Sequence, residues 1–308
     1  MGRNVLKLAE LSASEVPPQL RADYYFDFEK HPFEHRALFA DPKNPSVVSV
    51  LPAISDYACT WLSETISARA GQATEVTDIS GIIVGKVKVL VEKDVVFAPS
   101  VVIGSESGGT LYVSAGARLV GCSIWVDDGD IFIGPGTTVE PGAGIKGPCI
   151  VGANCAVRQG AYFRGNVITG NDGTFRGELK NVVMMDGANF PHPGYVGDSL
   201  CGHKTHFGNQ ATSANLGIYY LVGGKNNVAL DIDGVSYDLG RPKVGIILGD
   251  YSQVGCNSVS DPGTFLAPHT IIYQLSRINK GLYGPDEVLK NKPIEHGVIE
   301  RTPFRPLA

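Results

Sequence analysis

The sequence predicts an all-β fold, a left-handed parallel β-helix of hexapeptide repeats with a short N-terminal helical cap and an inserted β-hairpin arm. Three observations predict it. Ile133, Val139, Ile145, Val151, Val157 and Phe163 stand six residues apart, a period that neither an amphipathic helix nor a two-faced strand sustains. Two further runs keep the same step, Val91, Phe97 and Ile103, then Leu248, Val254, Ser260, Leu266 and Ile272. The 38 glycines among 308 residues suit a chain that turns at every hexad, with Pro, Asn and Asp supplying further turns. In such a solenoid three hexads close a triangular coil and the residue at the repeat position points inward. About ten coils at about 4.8 Å each make a rod of roughly 48 Å.

Residues 1–80 do not follow the hexad rule and form an N-terminal arm and helix. Pro17-Pro18 and the aromatic stretch Phe26 to Phe39 read as an irregular arm, in which His31 and His35 are expected at a surface or interface rather than as ligands. Ile54, Tyr57, Ala58, Trp61, Leu62, Thr65 and Ile66 recur at helical spacing, with Ser55 as the starting cap and Gly71 as the stop, and this helix is expected against the first coil. The β-helix follows over 81–275. Its hexads break at Ser105 to Thr110, at Asp127 to Asp130 and after Asn215, where loops would be inserted. The insert spans about 218–239, and Asp233-Gly234 between VALDI and VSYDL signals a hairpin. Residues 276–308 are assigned to a C-terminal tail.

A net charge of -5 argues against a nucleic-acid or anionic-membrane partner. The N-terminus lacks the apolar core of a signal peptide and no run of eighteen apolar residues occurs, so a cytoplasmic location is expected. Cys59, Cys122, Cys149, Cys155, Cys201 and Cys256 form no CxxC pair and are expected as reduced thiols filling coil positions.

Polar residues that a structural prism does not need gather between 158 and 260: Arg164, Glu178, Lys180, His192, Tyr195, Asn215, Arg241 and Lys243. The block ELKNVVMMDGANFPHPGYVGDSLCG, followed by SANLG and GRPKVGIILGD, resembles the acetyltransferase half of bifunctional sugar-1-phosphate nucleotidylyltransferase/acetyltransferases, which include the enzymes that acetylate glucosamine 1-phosphate and then make UDP-N-acetylglucosamine. The shared elements are E-[IL]-K, then H-x-x-Y-[VL]-G-D, then an asparagine segment and G-R-x-K-x-G. FEHRALF and the Trp61 helix look like the connector that precedes the solenoid in that family. Its glycine-rich G-x-G-T-R nucleotide loop has no counterpart here, so uridylyl transfer is not expected.

The resemblance implies an N-acetyltransferase that uses acetyl-CoA as co-substrate, with no metal in the site, acting as a homotrimer on an amino sugar phosphate or nucleotide-linked amino sugar. His192 matches the general base that takes the proton from the attacking amine. An imidazole suits that task because its ordinary pKa lies near neutrality. Asn215 matches the asparagine that orients the amine and acetyl group. Tyr195, Lys180 and Lys243 match residues that hold the sugar phosphate, and Arg164 lies near the phosphate-binding arginine, two residues closer to Lys180 than in the family. Arginine and lysine fit a phosphate dianion, which a guanidinium grips through two oxygens. Arg241 either supports Lys243 or faces solvent, and Glu178 is expected to orient Lys180. His206 stands at a sugar-binding position where the family has asparagine, Leu216 replaces a tyrosine, and Cys256 a serine. With the insert, these departures leave the acceptor sugar open.

Direct attack is expected, because no cysteine or serine has an evident activating base beside it. Acetyl-CoA would lie between prisms of the trimer, since a lone prism offers no deep cleft. Two other readings compete. His192, His203 and His206 invite a zinc site of the carbonic anhydrase kind, although their spacing does not fit that family. A non-catalytic trimeric scaffold or regulator would keep the same fold.

Overall fold

The structure is a computed structural model that describes residues 5–41, 46–218, 220 and 226–291. It is a left-handed β-solenoid of about 11 turns, with one α-helix among the described residues, and its strands stack in parallel. Register pairs confirm the coil length: Cys149 lies beside Ile131 and Val167, and Ala156 beside Thr138 and Thr174, each 18 residues apart. The six hexad residues from Ile133 to Phe163 are all inside, none more than 1% exposed. One interior column runs Val139, Val157, Phe175 and Phe190. Phe163 meets Phe175 edge-on at 5.8 Å, and Phe190 meets Phe207 at 5.3 Å, the T-shaped geometry that aromatic quadrupoles favour. Corners are turned by residues with positive φ, many of them Asn or Asp, which tolerate that conformation best among residues with a Cβ.

The prism has three faces. One carries Gly144–Lys146, Tyr162–Arg164, the starts of Glu178–Met184 and Tyr195–Cys201, then Thr212–Ser213 and Val259–Ser260. The second carries Ile131–Ile133, Cys149–Val151, Val167–Thr169, Ile246–Leu248 and Thr264–Leu266. The third is a 10-stranded sheet from Val96–Ala98 to Val288–Leu289. Stacking therefore continues through Arg277–Ile278, Gly281–Tyr283 and Val288–Leu289, inside the stretch assigned to a tail. The expected break at Ser105 to Thr110 is an irregularity inside the long strand Val101–Val113. Gly85 there pairs with Ser105 and Val87 with Gly109, and Asp127 accepts bonds from the backbone of Glu106 and Ser107 in the displaced residues.

The helix spans Val50–Arg69 and lies along the second face rather than capping the first coil. Its buried residues, Val50, Leu51, Ile54, Ala58, Leu62 and Ile66, join an apolar column that points outward from successive coils: Tyr112, Phe132, Ile150, Ile168, Val183, Leu200, Ile247 and Phe265. At 1.5 Å per residue a 20-residue helix covers about 30 Å, enough to cross several coils. Ser55 sits inside the helix, while Ser46 accepts a bond from the Val48 backbone N–H in the preceding 3₁₀ turn. The helix gives way to a second 3₁₀ turn, Ala70–Gln72, that contains Gly71. His35 is not at a surface. It is 2% exposed, packed edge-on against Phe33, Tyr57 and Trp61.

The insert forms the expected hairpin, Ala229–Ile232 against Val235–Asp238, with positive φ at both Asp233 and Gly234 as a type I′ turn requires. Its outer partner is the chain's own N-terminal strand, Val5–Lys7, which lies parallel to it and pairs Val5 with Ser236 and Lys7 with Asp238. Four of the six cysteines, Cys122, Cys149, Cys155 and Cys201, are buried, Cys59 and Cys256 are exposed, and all are free thiols. Among the described residues no helix is long and apolar enough to cross a membrane.

Candidate active site

The first face and its two edges position the residues singled out in the sequence. Alternation along Tyr195–Cys201 sends Val196 into the core and Tyr195 outward. Tyr195 follows Tyr162 and Glu178 in one outward column, with Thr212 next. Its ring lies across Gly197, where an added Cβ would run into the phenol oxygen and displace the ring. The ring reaches the corner between the first and second faces, and there the Asn215 amide donates to Tyr195 Oη at 3.1 Å.

Asp198 is the centre of that corner. Its carboxylate accepts from Asn215 Nδ2 at 2.6 Å, from Asn181 Nδ2 at 3.0 Å and from Arg241 Nη2 at 3.0 Å, and the residue is 6% exposed. Arg241 Nε donates to the Lys243 carbonyl at 2.6 Å, and Arg241 Nη1 is buried without a partner among the described residues. Lys243 pairs in a single bridge with Leu216, and its side chain is exposed. Segments 195–198, 215–216 and 241–243 thus meet at one corner. A cavity of about 480 Å³ opens beside it, bounded by Leu8, Val48 and Pro52 together with Arg241 and Lys243.

Arg164 and Glu178 form an ion pair of 2.6 Å on the same face, so the Glu178 carboxylate engages Arg164 rather than Lys180. Lys180 stands opposite Gly197 in register. His192 lies at the other edge of the face, in the turn between Asn189–Phe190 and Tyr195–Cys201, and is partly exposed. His206, on the third face beside Asn189, is close enough to His192 for that ring's charge to act on it. His203 belongs to a different cluster: its ring stacks on His31 with centroids 4.1 Å apart, and Tyr251 packs edge-on against both. Among the described residues no three His, Cys, Asp or Glu side chains come together as metal ligands.

The electrostatics follow from burial. Burial raises the Tyr195 phenol above its ordinary value, and the Asp198 and Glu178 carboxylates raise it further, so Tyr195 is a neutral hydrogen-bonding group at pH 7. Burial lowers the Arg241 guanidinium, and Asp198 opposes that shift. His206 is lowered by burial first and by the nearby His192 second, which favours its neutral form. The bond to Glu178 raises Arg164.

No protein-family model matches the chain. It is 27% identical over 188 residues to a bifunctional sugar-1-phosphate nucleotidylyltransferase/acetyltransferase of Sulfurisphaera tokodaii, covering 54% of this chain and 46% of that protein. Against the bifunctional protein GlmU of Methanococcus vannielii the identity is 30% over 141 residues, 43% of this chain and 32% of the relative. The GlmU of Listeria monocytogenes is 25% identical over 210 residues, 56% of this chain and 40% of the relative. The chain resembles these bifunctional proteins over about half of its length. It spans less than half the length of each, and its solenoid is consistent with their acetyltransferase, β-helix half.

Sequence reasoning named Tyr195 and Asn215, which the fold joins, and left Arg241 between a supporting role and solvent. It missed Asp198 and Asn181, which tie the corner together. Asp198 was in view as the last residue of HPGYVGD, and the signal was an acid set directly against the buried Ser199 and Leu200.

Proposed function

We propose that the protein is a cytoplasmic, homotrimeric N-acetyltransferase that moves the acetyl group of acetyl-CoA to the amine of an amino sugar phosphate or nucleotide-linked amino sugar. The observation that carries the reading is the corner where residues 195–198, SANLG and GRPK meet, with Asn215 bonded to both Tyr195 and Asp198 and Arg241 bonded to Asp198, while Tyr195, three residues after His192, runs from the edge that carries the histidine to that corner. The Sulfurisphaera tokodaii relative, whose name includes an acetyltransferase, supports the reaction class. The sugar amine attacks the thioester carbonyl, a C–N bond forms, and His192 takes the amine proton. The tetrahedral oxyanion then collapses, the C–S bond breaks, and the thiolate leaves with a proton to become free coenzyme. Asn215 and Tyr195 orient the acceptor, His206 lines the sugar side, and Lys180, Lys243 and Arg164 supply charge for its phosphate. Proton transfer by a positioned imidazole contributes about 10²- to 10⁴-fold to such a rate.

The test is thiol release from acetyl-CoA with a panel of amino sugars, their 1-phosphates and nucleotide-linked forms. Turnover with one acceptor class is expected, and His192→Ala is expected to lower kcat by about 10²-fold or more. Folded trimer without turnover on any acceptor would overturn the reading and leave a scaffold.

A further inference from the structure

We infer that Asp198 is a positioning residue of this site, fixing the orientation of Asn215 and Arg241 toward the acceptor; the inference rests on the acetyltransfer reading above. Both carboxylate oxygens are committed. Oδ2 takes Asn215 Nδ2, and Oδ1 takes Asn181 Nδ2 and Arg241 Nη2. The Asn215 amide nitrogen donates to Asp198 and to Tyr195 Oη, which occupies both of its N–H groups and leaves its carbonyl oxygen to accept from an incoming amine. Arg241 spends Nη2 on Asp198 and Nε on the Lys243 carbonyl, its Nη1 is buried without a partner among the described residues, and the side chain borders the cavity at this corner, the place for an anionic group of the acceptor. A neutral side chain at 198 could not hold three donors this way.

The corner itself separates this role from a structural one. Asn166, Asn181 and Asp198 occupy equivalent corner positions in successive coils, all with φ near +50°. Asparagine is therefore the native occupant of this corner in the two preceding coils, and Asp198→Asn preserves size, backbone preference and stacking while removing the charge that draws in Asn215 and Arg241.

The experiment compares wild type, Asp198→Asn and Asp198→Glu by steady-state kinetics with both substrates varied, by thermal melting and by crystallography. Asp198→Asn is expected to stay folded, to lose on the order of 100-fold in kcat through misplacement of the acceptor, to raise the KM for the acceptor and to leave that for acetyl-CoA unchanged. Asp198→Glu is expected to recover part of the loss. Unchanged kcat and acceptor KM in Asp198→Asn would overturn the inference, as would an equal rise in both KM values. If wild type turns over no acceptor, the acetyltransfer reading fails on its own. The crystal structures then decide: Asn215 and Arg241 in their wild-type places in Asp198→Asn overturns the role of Asp198, and their displacement supports it. Should Asp198→Asn not fold, Asp198→Glu carries the same criteria.

Discussion

At the scale of single residues, His35 illustrates how burial turns a titratable group into a pH-dependent source of stability. Its ring is packed among Phe33, Tyr57 and Trp61, Nδ1 lies 3.3 Å from the Tyr57 hydroxyl, and burial pushes its pKa down to about 4 from an ordinary 6.5. Between those values the unfolded chain binds a proton that the folded one excludes, so stability rises with pH across this window. The contribution is fully present above about 6.5 and is lost as pH falls through about 4, a change on the order of 3 kcal/mol. The expected outcome is a melting temperature that drops from pH 6.5 to pH 4 in wild type and drops less in His35→Phe. Parallel pH profiles for the two proteins would refute it. Nothing in the sequence distinguished His35 from His31 four residues earlier, since both sit among aromatics in an irregular arm. Burial there is decided by where the helix lands. Tyr195 and Asn215 were legible because they sit in motifs, whereas Asn181 was not, because its partners are distant in sequence: a carboxylate one coil away and the Leu51 carbonyl of the helix.

Among the elements, the hexads were readable because each repeat position answers to one local demand, an aliphatic side chain that fits the prism interior. The helix itself is legible in its 3.6-residue pattern, but it lies along the second face and not, as expected, against the first coil. The signal for that place was present: strands of the second face run as apolar triplets, Ile131-Phe132-Ile133, Cys149-Ile150-Val151 and Ile246-Ile247-Leu248, whose middle residue faces away from the core. An outward apolar residue recurring once per coil needs a cover, and the helix is that cover. The parallel pairing of Val5–Lys7 with the hairpin had no such signal, because a three-residue strand carries too little pattern. If the helix is held by this column, Leu62→Ala should cost about 2–5 kcal/mol, read as a shift of the denaturation midpoint at constant slope. Glu64→Ala, on the exposed side of the same turn, should stay within about 0.5 kcal/mol. Equal effects of the two substitutions would mean that the helix is not anchored through this face.

For the whole molecule, the argument turns on where a prism can hold a long co-substrate. The interior of the described solenoid is filled by side chains, with no room for a ligand between Val139, Val157, Phe175 and their neighbours. Chemistry is confined to faces and edges, and His192 occupies an open edge between the first and third faces. The later coils expose apolar residues on and beside the third face: Ile271 at 37%, Tyr273 at 40%, Leu275 at 56% and Val288 at 54%. Leu275 is also held at φ 59°, a conformation costly for a branched side chain on an exposed turn. Exposed apolar groups gathered in this way mark interaction surfaces more often than solvent-facing walls, and in the proposed homotrimer they would lie against a neighbouring prism whose wall completes the groove for acetyl-CoA. Sedimentation equilibrium should then give three times the chain mass. Tyr273→Glu should shift the population toward single chains and lower specific activity in parallel, with dilution of the wild-type protein doing the same. A single-chain mass with undiminished acetyl transfer would break the link between assembly and catalysis and would require that one prism edge holds both substrates alone.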